Sequence, residues 1–100
     1  MRTPHVSVFY KETSLPDGIY LQAAFSASKR KFKKAVDRNK LKRLMREAYR
    51  TQRNELQNVL KSHNKQVAIV FVFTFTQVLS FAEVKEEIRV LLEKLKKQYG

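Results

Sequence analysis

Ala35-Val36-Asp37-Arg38-Asn39-Lys40-Leu41-Lys42-Arg43-Leu44-Met45-Arg46-Glu47-Ala48-Tyr49-Arg50 superimposes two periodic patterns on one segment. Leu41, Leu44, Met45, Ala48 and Tyr49 fall at i, i+3, i+4, i+7 and i+8, the spacing of an apolar stripe on an α-helix. Arg38, Lys42, Arg46 and Arg50 step by four along another face, with Arg43 and Arg53 beside them. Side chains at that spacing stack along one ridge. One face therefore requires a core and another presents a row of cations. The pattern predicts a helix from about Ala35 to about Leu60.

Upstream, Val6, Val8 and Tyr10 alternate with Ser7, Phe9 and Lys11, which reads as a strand. Leu15-Pro16-Asp17-Gly18 is a turn, with Pro fixing φ and Gly free to take a positive one. Ile19 to Ala27 alternates again and predicts a second strand, forming with the first a hairpin with a longish loop. Ser28 to Lys34 is a basic connection. Downstream, Ser62 to Gln66 is a polar turn. Val67 to Thr76 is β-branched and aromatic, a central strand covered on at least one face. Ser80-Phe81-Ala82-Glu83 is a capping-box sequence. It opens a last helix with an apolar stripe of Val84, Ile88, Leu91, Leu92 and Leu95. The expected fold is α+β, an α/β sandwich in a single domain over residues 1–100. A single-layer sheet of three to four strands is packed by helices in the order β-β-α-β-α. The helix between the second and third strands permits a parallel pair through a crossover.

One hundred residues, 43% of them hydrophobic and 11% aromatic, suffice for one core, and two Gly with two Pro argue against a loop-rich or disordered chain. Lys and Arg number 21 against nine Asp and Glu, a net charge of +12. Between Lys29 and Arg53 twelve cations face two acids, Asp37 and Glu47, a net of +10; the remaining residues net +2. A solvated helix face normally interleaves acids with its cations, as the last helix does with Glu83, Glu86, Glu87 and Glu93 among Lys85, Arg89, Lys94 and Lys96. Uncompensated repulsion on the middle helix points instead to a polyanion partner. The chain has no Cys, which fits a reducing compartment and excludes disulfides and thiolate chemistry. The longest apolar run, Val67 to Phe73, is far too short to span a membrane. Residues 1–5 show no apolar signal segment. The cytoplasm is the expected location, with no membrane partner.

Catalytic chemistry is hard to assemble. His5 and His63 are far apart in sequence, with no carboxylate evident to orient either. Gly18 and Gly100 are the only glycines, so there is no phosphate-cradling loop. No paired acids are visible. No catalytic residue and no metal ligand is expected on this chain. Its chemistry is that of a binder: Arg offers bidentate donors to phosphate and Lys a point charge. Phe9, Tyr10, Tyr20, Phe25 and Phe32 are candidates to stack on unpaired bases; Phe9 and Phe25 read rather as core.

Ser28-Lys29-Arg30 followed by Arg38-Asn39-Lys40-Leu41-Lys42-Arg43-Leu44-Met45-Arg46-Glu47-Ala48-Tyr49-Arg50 resembles the bacterial ribonuclease P protein subunit. That family carries a Ser-Lys-Lys/Arg at a strand end. A helix then reads Arg-Asn-Arg-x-Lys-Arg-x-x-Arg-Glu-x-Phe/Tyr-Arg. The resemblance implies a small α/β sandwich with a left-handed βαβ crossover, against the general rule. It implies a protein that binds a large catalytic RNA and assists removal of the 5′ leader from precursor tRNA. The Mg²⁺ ions sit on the RNA, so no cofactor is expected on the protein. Ser28, Lys29, Arg30, Arg38, Asn39, Lys42, Arg43 and Arg46 correspond to the RNA-facing motif. Lys33, Lys34, Lys40 and Arg50 extend the same basic surface. Tyr10 matches a cleft-lining aromatic for the single-stranded leader.

The sequence departs from the family in three places. Lys40 stands where an Arg is usual, which removes a bidentate contact. The Ser28–Ala35 loop lacks the usual Gly. The family also begins with a helix whose aromatics floor the leader cleft, and this chain starts after it. The expectation is a shortened form or an incomplete cleft, with a bared sheet face as a candidate for self-association. The alternative function is a generic basic ribosomal or nucleic-acid-binding protein without a processing role. A stand-alone nuclease lacks its acids, and a membrane-surface helix lacks free apolar area.

Overall fold

The computed structural model describes residues 1–100. The elements are β1 (Val6–Glu12), β2 (Leu21–Ala27), α1 (Ala35–Arg50), α2 (Asn54–Ser62), β3 (Val67–Phe73) and α3 (Phe81–Tyr99). The arrangement is α+β: a three-stranded open sheet with three helices.

The sheet order is β1-β3-β2, with β1 antiparallel and β2 parallel to β3. The expected hairpin between the first two strands does not form. Val67, Ile69, Phe71 and Phe73 are all at most 1% exposed, so β3 gains most from the middle position, where both of its ladders are paired. Glu12 and Leu21 both register with Val67. The segment between them must therefore cross the end of β3. Gln66 holds it there: its Oε1 accepts from the Leu15 N–H at 3.0 Å, and its Nε2 donates to the carbonyls of Leu15, Pro16 and Ile19. Gly18 takes φ 84° within the same loop, as the turn reading requires.

Strand alternation sorts the two faces. Val6, Val8, Leu21, Ala27 and the four inward residues of β3 pack under α1 and α3, which contribute Leu41, Met45, Ala48, Val84, Ile88, Leu91 and Leu95. All twenty buried residues are hydrophobic, so the core holds no buried charge needing compensation. The opposite face is uncovered. Phe9, expected in the core, lies there 63% exposed, registered against Val70 and one position from Val8. Phe25 is half-buried and stacks on Phe71 with ring centroids 5.6 Å apart.

The single long helix expected to Leu60 is two helices. α1 ends at Arg50, and Thr51 to Arg53 turn the chain. The Thr51 hydroxyl donates to the Glu47 and Ala48 carbonyls, and Gln52 Nε2 donates to the carbonyls of Ala48 and, across to α3, Lys85. The turn re-aims α2 so that Leu56 and Leu60 are buried. α3 begins as its sequence predicts: Ser80 Oγ accepts from the Glu83 N–H, and Glu83 accepts from the Ser80 N–H.

Candidate nucleic-acid interface

The apolar stripe of α1 fixes its roll on the sheet. Leu41, Met45, Ala48 and Tyr49 are buried and Leu44 half-buried. The cations are thereby turned outward: Lys40, Arg43, Arg46, Arg50 and Asn39 are exposed, and Arg38 and Lys42 half-exposed. The molecule has six ion pairs. Of the twelve cations between Lys29 and Arg53, only Arg50 enters one, with Glu47 at 2.5 Å. That contact holds the Glu47 carboxyl below its ordinary range and the Arg50 guanidinium above. On α3, Arg89 meets Glu86 at 2.6 Å, and Lys96 meets both Glu55 and Glu93. Two of the five α3 cations are thus paired within the fold, against one of the twelve between Lys29 and Arg53.

The loop before α1 continues the cationic surface. Lys29, Arg30, Lys33 and Lys34 are exposed. Ser28 shapes the turn: its Oγ accepts from the Arg30 N–H at 3.1 Å and its carbonyl from the Phe32 N–H at 3.0 Å. Phe32 anchors the loop, 6% exposed with its ring 5.9 Å from that of Phe73, and so is unavailable for base stacking. Lys31 donates to the Thr74 carbonyl. Arg38 Nη1 donates to the Phe32 carbonyl at 2.6 Å and the Lys33 carbonyl at 3.0 Å. Lys34, at the N-cap of α1, provides no side-chain cap. Arg38 thus ties the loop to the helix.

Tyr10 lies on the helix-covered side, half-buried, with its ring edge-to-face against Tyr99 at 6.2 Å. It is separated by the sheet from Phe9. Tyr20 is also half-buried. His5, expected to have no acid partner, meets Glu87: Nδ1 lies 2.5 Å from Oε2, and the Thr3 hydroxyl and the His5 N–H donate to Oε1. The ring stands edge-on to Phe75 at 4.4 Å. This carboxylate fastens the N-terminal segment to α3, with no nucleophile on the imidazole. His63 Nδ1 lies 2.9 Å from the Val59 carbonyl at a helix end. No group of three or more His, Cys, Asp or Glu comes together as metal ligands, and no helix is long and apolar enough to cross a membrane.

Residues 1–96 match the sequence profile of the family described as Ribonuclease P. The chain belongs to that family. It is 32% identical over 82 residues to the Ribonuclease P protein component of Porphyromonas gingivalis, covering 82% of this chain and 60% of the relative. It is 34% identical over 83 residues to that of Chlorobaculum tepidum, covering 77% and 54%. The corresponding protein of Chlorobium phaeobacteroides is 31% identical over 83 residues, covering 76% and 57%. The chain thus spans about half to three-fifths of the length of the curated relatives it matches. No solved structure matches it.

Within this ribonuclease P family framework, sequence reading alone missed the positioning residues. Gln52, Gln66 and Glu87 are polar, lie outside the basic motif, and act across separations in sequence of 33 residues or more. Arg38 also donates to backbone carbonyls, partners that no residue-type pattern reports.

Proposed function

We propose that this chain is the RNA-binding protein subunit of ribonuclease P. In this reading it binds the catalytic RNA through α1 and the Ser28–Lys34 loop and assists removal of the 5′ leader from precursor tRNA. The observation that carries the reading is the cationic surface in which eleven of the twelve cations between Lys29 and Arg53 have no acid partner, in a chain belonging to this family. Lys29, Arg30, Lys33, Lys34, Lys40, Lys42, Arg43 and Arg46 are its phosphate-facing groups. Asn39 and Arg50 border them. Arg38 and Ser28 hold the loop in place. Hydrolysis and its Mg²⁺ ions belong to the RNA, and the cytoplasm is the compartment where the two meet. Tyr10 with Tyr99 marks the region assigned to the leader. The uncovered sheet face around Phe9 and Val70 is apolar, but a charge of +12 opposes bringing two copies together.

Reconstitution tests the proposal. Added to a bacterial ribonuclease P RNA at low Mg²⁺, the chain should accelerate leader removal from precursor tRNA. No acceleration, together with equal affinity for catalytic-RNA fragments and duplex DNA, would establish the generic basic binder instead.

A further inference from the structure

A groove of ≈ 410 Å³ runs between β2 and the C-terminal half of α1. Phe25, Arg46, Tyr49, Arg50 and Arg53 line it. Tyr49 is 6% exposed, its ring held by Phe25 at 5.7 Å and Phe71 at 5.9 Å, and its hydroxyl is buried without a hydrogen-bond partner. A buried hydroxyl is normally paired, because losing water without gaining a partner is unfavourable. Burial pushes this phenol's pKa up, while the neighbouring Arg53 guanidinium, by its charge and as a donor toward the hydroxyl oxygen, pulls against it. The hydroxyl is therefore protonated at neutral pH, a donor with no acceptor. Arg46 and Arg53 have no carboxylate partner, and Arg50 shares its charge with Glu47. The Arg46 guanidinium lies 5.7 Å from the centroid of Phe25, whose ring also stacks on Phe71. Phe25 is thus in contact with both Phe71 and the Arg46 guanidinium. An Arg lying against an aromatic ring is a surface on which a nucleobase stacks.

We propose that this groove is a subsite for one unpaired nucleotide, its phosphate bound by Arg46, Arg53 and the Tyr49 hydroxyl and its base stacked on the Arg46–Phe25 pair. The assignment rests on the RNA-binding reading and adds to it a specific ligand: a phosphate with a free base beside it, which a base-paired helix does not present. Arg46 and Arg53 supply charge, Tyr49 supplies a neutral donor whose vacant valence a phosphate oxygen fills, and Phe25 supplies the apolar wall.

Tyr49→Phe and Arg53→Gln separate this subsite from the general basic surface. Tyr49→Phe keeps the packed ring and removes only the unpaired hydroxyl, so its thermal midpoint should equal or exceed that of the parent chain. Both variants should bind a 5′-phosphorylated single-stranded RNA oligonucleotide about tenfold more weakly, the scale of one hydrogen bond to a charged group. Tyr49→Phe should bind a blunt RNA duplex as the parent does. Single-strand affinity unchanged in both variants would overturn the subsite. Failure of the parent chain to bind catalytic RNA at all would overturn the broader reading, and the two results are distinct. Adenosine monophosphate and the oligonucleotide, titrated in turn, should each shift the Tyr49 and Phe25 ring resonances. Tighter binding of the oligonucleotide assigns the site to an RNA strand, and equal binding assigns it to a free nucleotide. No shift with either contradicts the proposal.

Discussion

Arg38 shows that an arginine in a basic motif can carry a structural task as well as a charge. One nitrogen, Nη1, at the tip of the planar guanidinium donates to both loop carbonyls, and a lysine ammonium on its shorter stem does not occupy that position. Arg38→Lys keeps the charge, so the salt dependence of RNA binding should stay the same. Affinity should nevertheless fall, and amide exchange in Ser28–Lys34 should speed up. Unchanged exchange with a reduced salt slope would make Arg38 a direct contact instead. Gln66 is the corresponding anchor at the other end of the sheet. Removing its carboxamide with Gln66→Ala leaves the carbonyls of Leu15, Pro16 and Ile19 without their donor, and chemical denaturation should record a loss of roughly 1–3 kcal/mol. Glu87 provides the pH test. Burial raises its carboxyl, but hydrogen bonds from Thr3 and His5 outweigh it and leave the folded pKa below the ordinary 4.5. A depressed folded pKa stabilises the fold above the unfolded value and is lost as pH falls through the folded one. Melting midpoints should therefore decline as pH drops below about 4.5, and Glu87→Gln should flatten that decline while lowering stability at pH 7.

At the level of elements, helix rolls and strand faces were legible because apolar spacing determines them. Leu41, Met45, Ala48 and Tyr49 are buried as their i, i+3, i+4 pattern requires, and the Ser80–Glu83 box caps α3 as written. Strand pairing was not legible. Two neighbouring strands joined by a Pro-Asp-Gly turn suit a hairpin locally, and only competition for the middle of the sheet, won by the more apolar β3, separates them. The break at Thr51 to Arg53 was hidden for a related reason. None of those residues forbids helix, and the turn depends on hydrogen bonds to Ala48 and to Lys85 on α3. Phe9 was misassigned because its size suggests core, whereas the alternation that buries Val8 turns its neighbour outward. At this scale Phe71→Ala should be among the costliest single changes, about 3–5 kcal/mol by denaturation, since Phe71 is 0% exposed and supports both Phe25 and Tyr49.

Across the whole molecule, the division of charge was the most readable property and is the one on which the proposed RNA binding turns. Counting residues located the excess; the fold does not neutralise it, whereas on α3 Arg89 and Lys96 find Glu86, Glu55 and Glu93. Unpaired cations held on a rigid helix repel one another in the free protein, and a phosphate backbone relieves that repulsion as it releases its counterions. The decisive measurement is therefore the salt dependence of binding to ribonuclease P RNA, for the parent chain and for Arg43→Glu with Arg46→Glu. If about six phosphates are neutralised, log K should fall against log salt with a slope near −5, and the double reversal should weaken binding and make that slope shallower. An unchanged slope and affinity in the double variant would show that α1 is not the RNA-binding face.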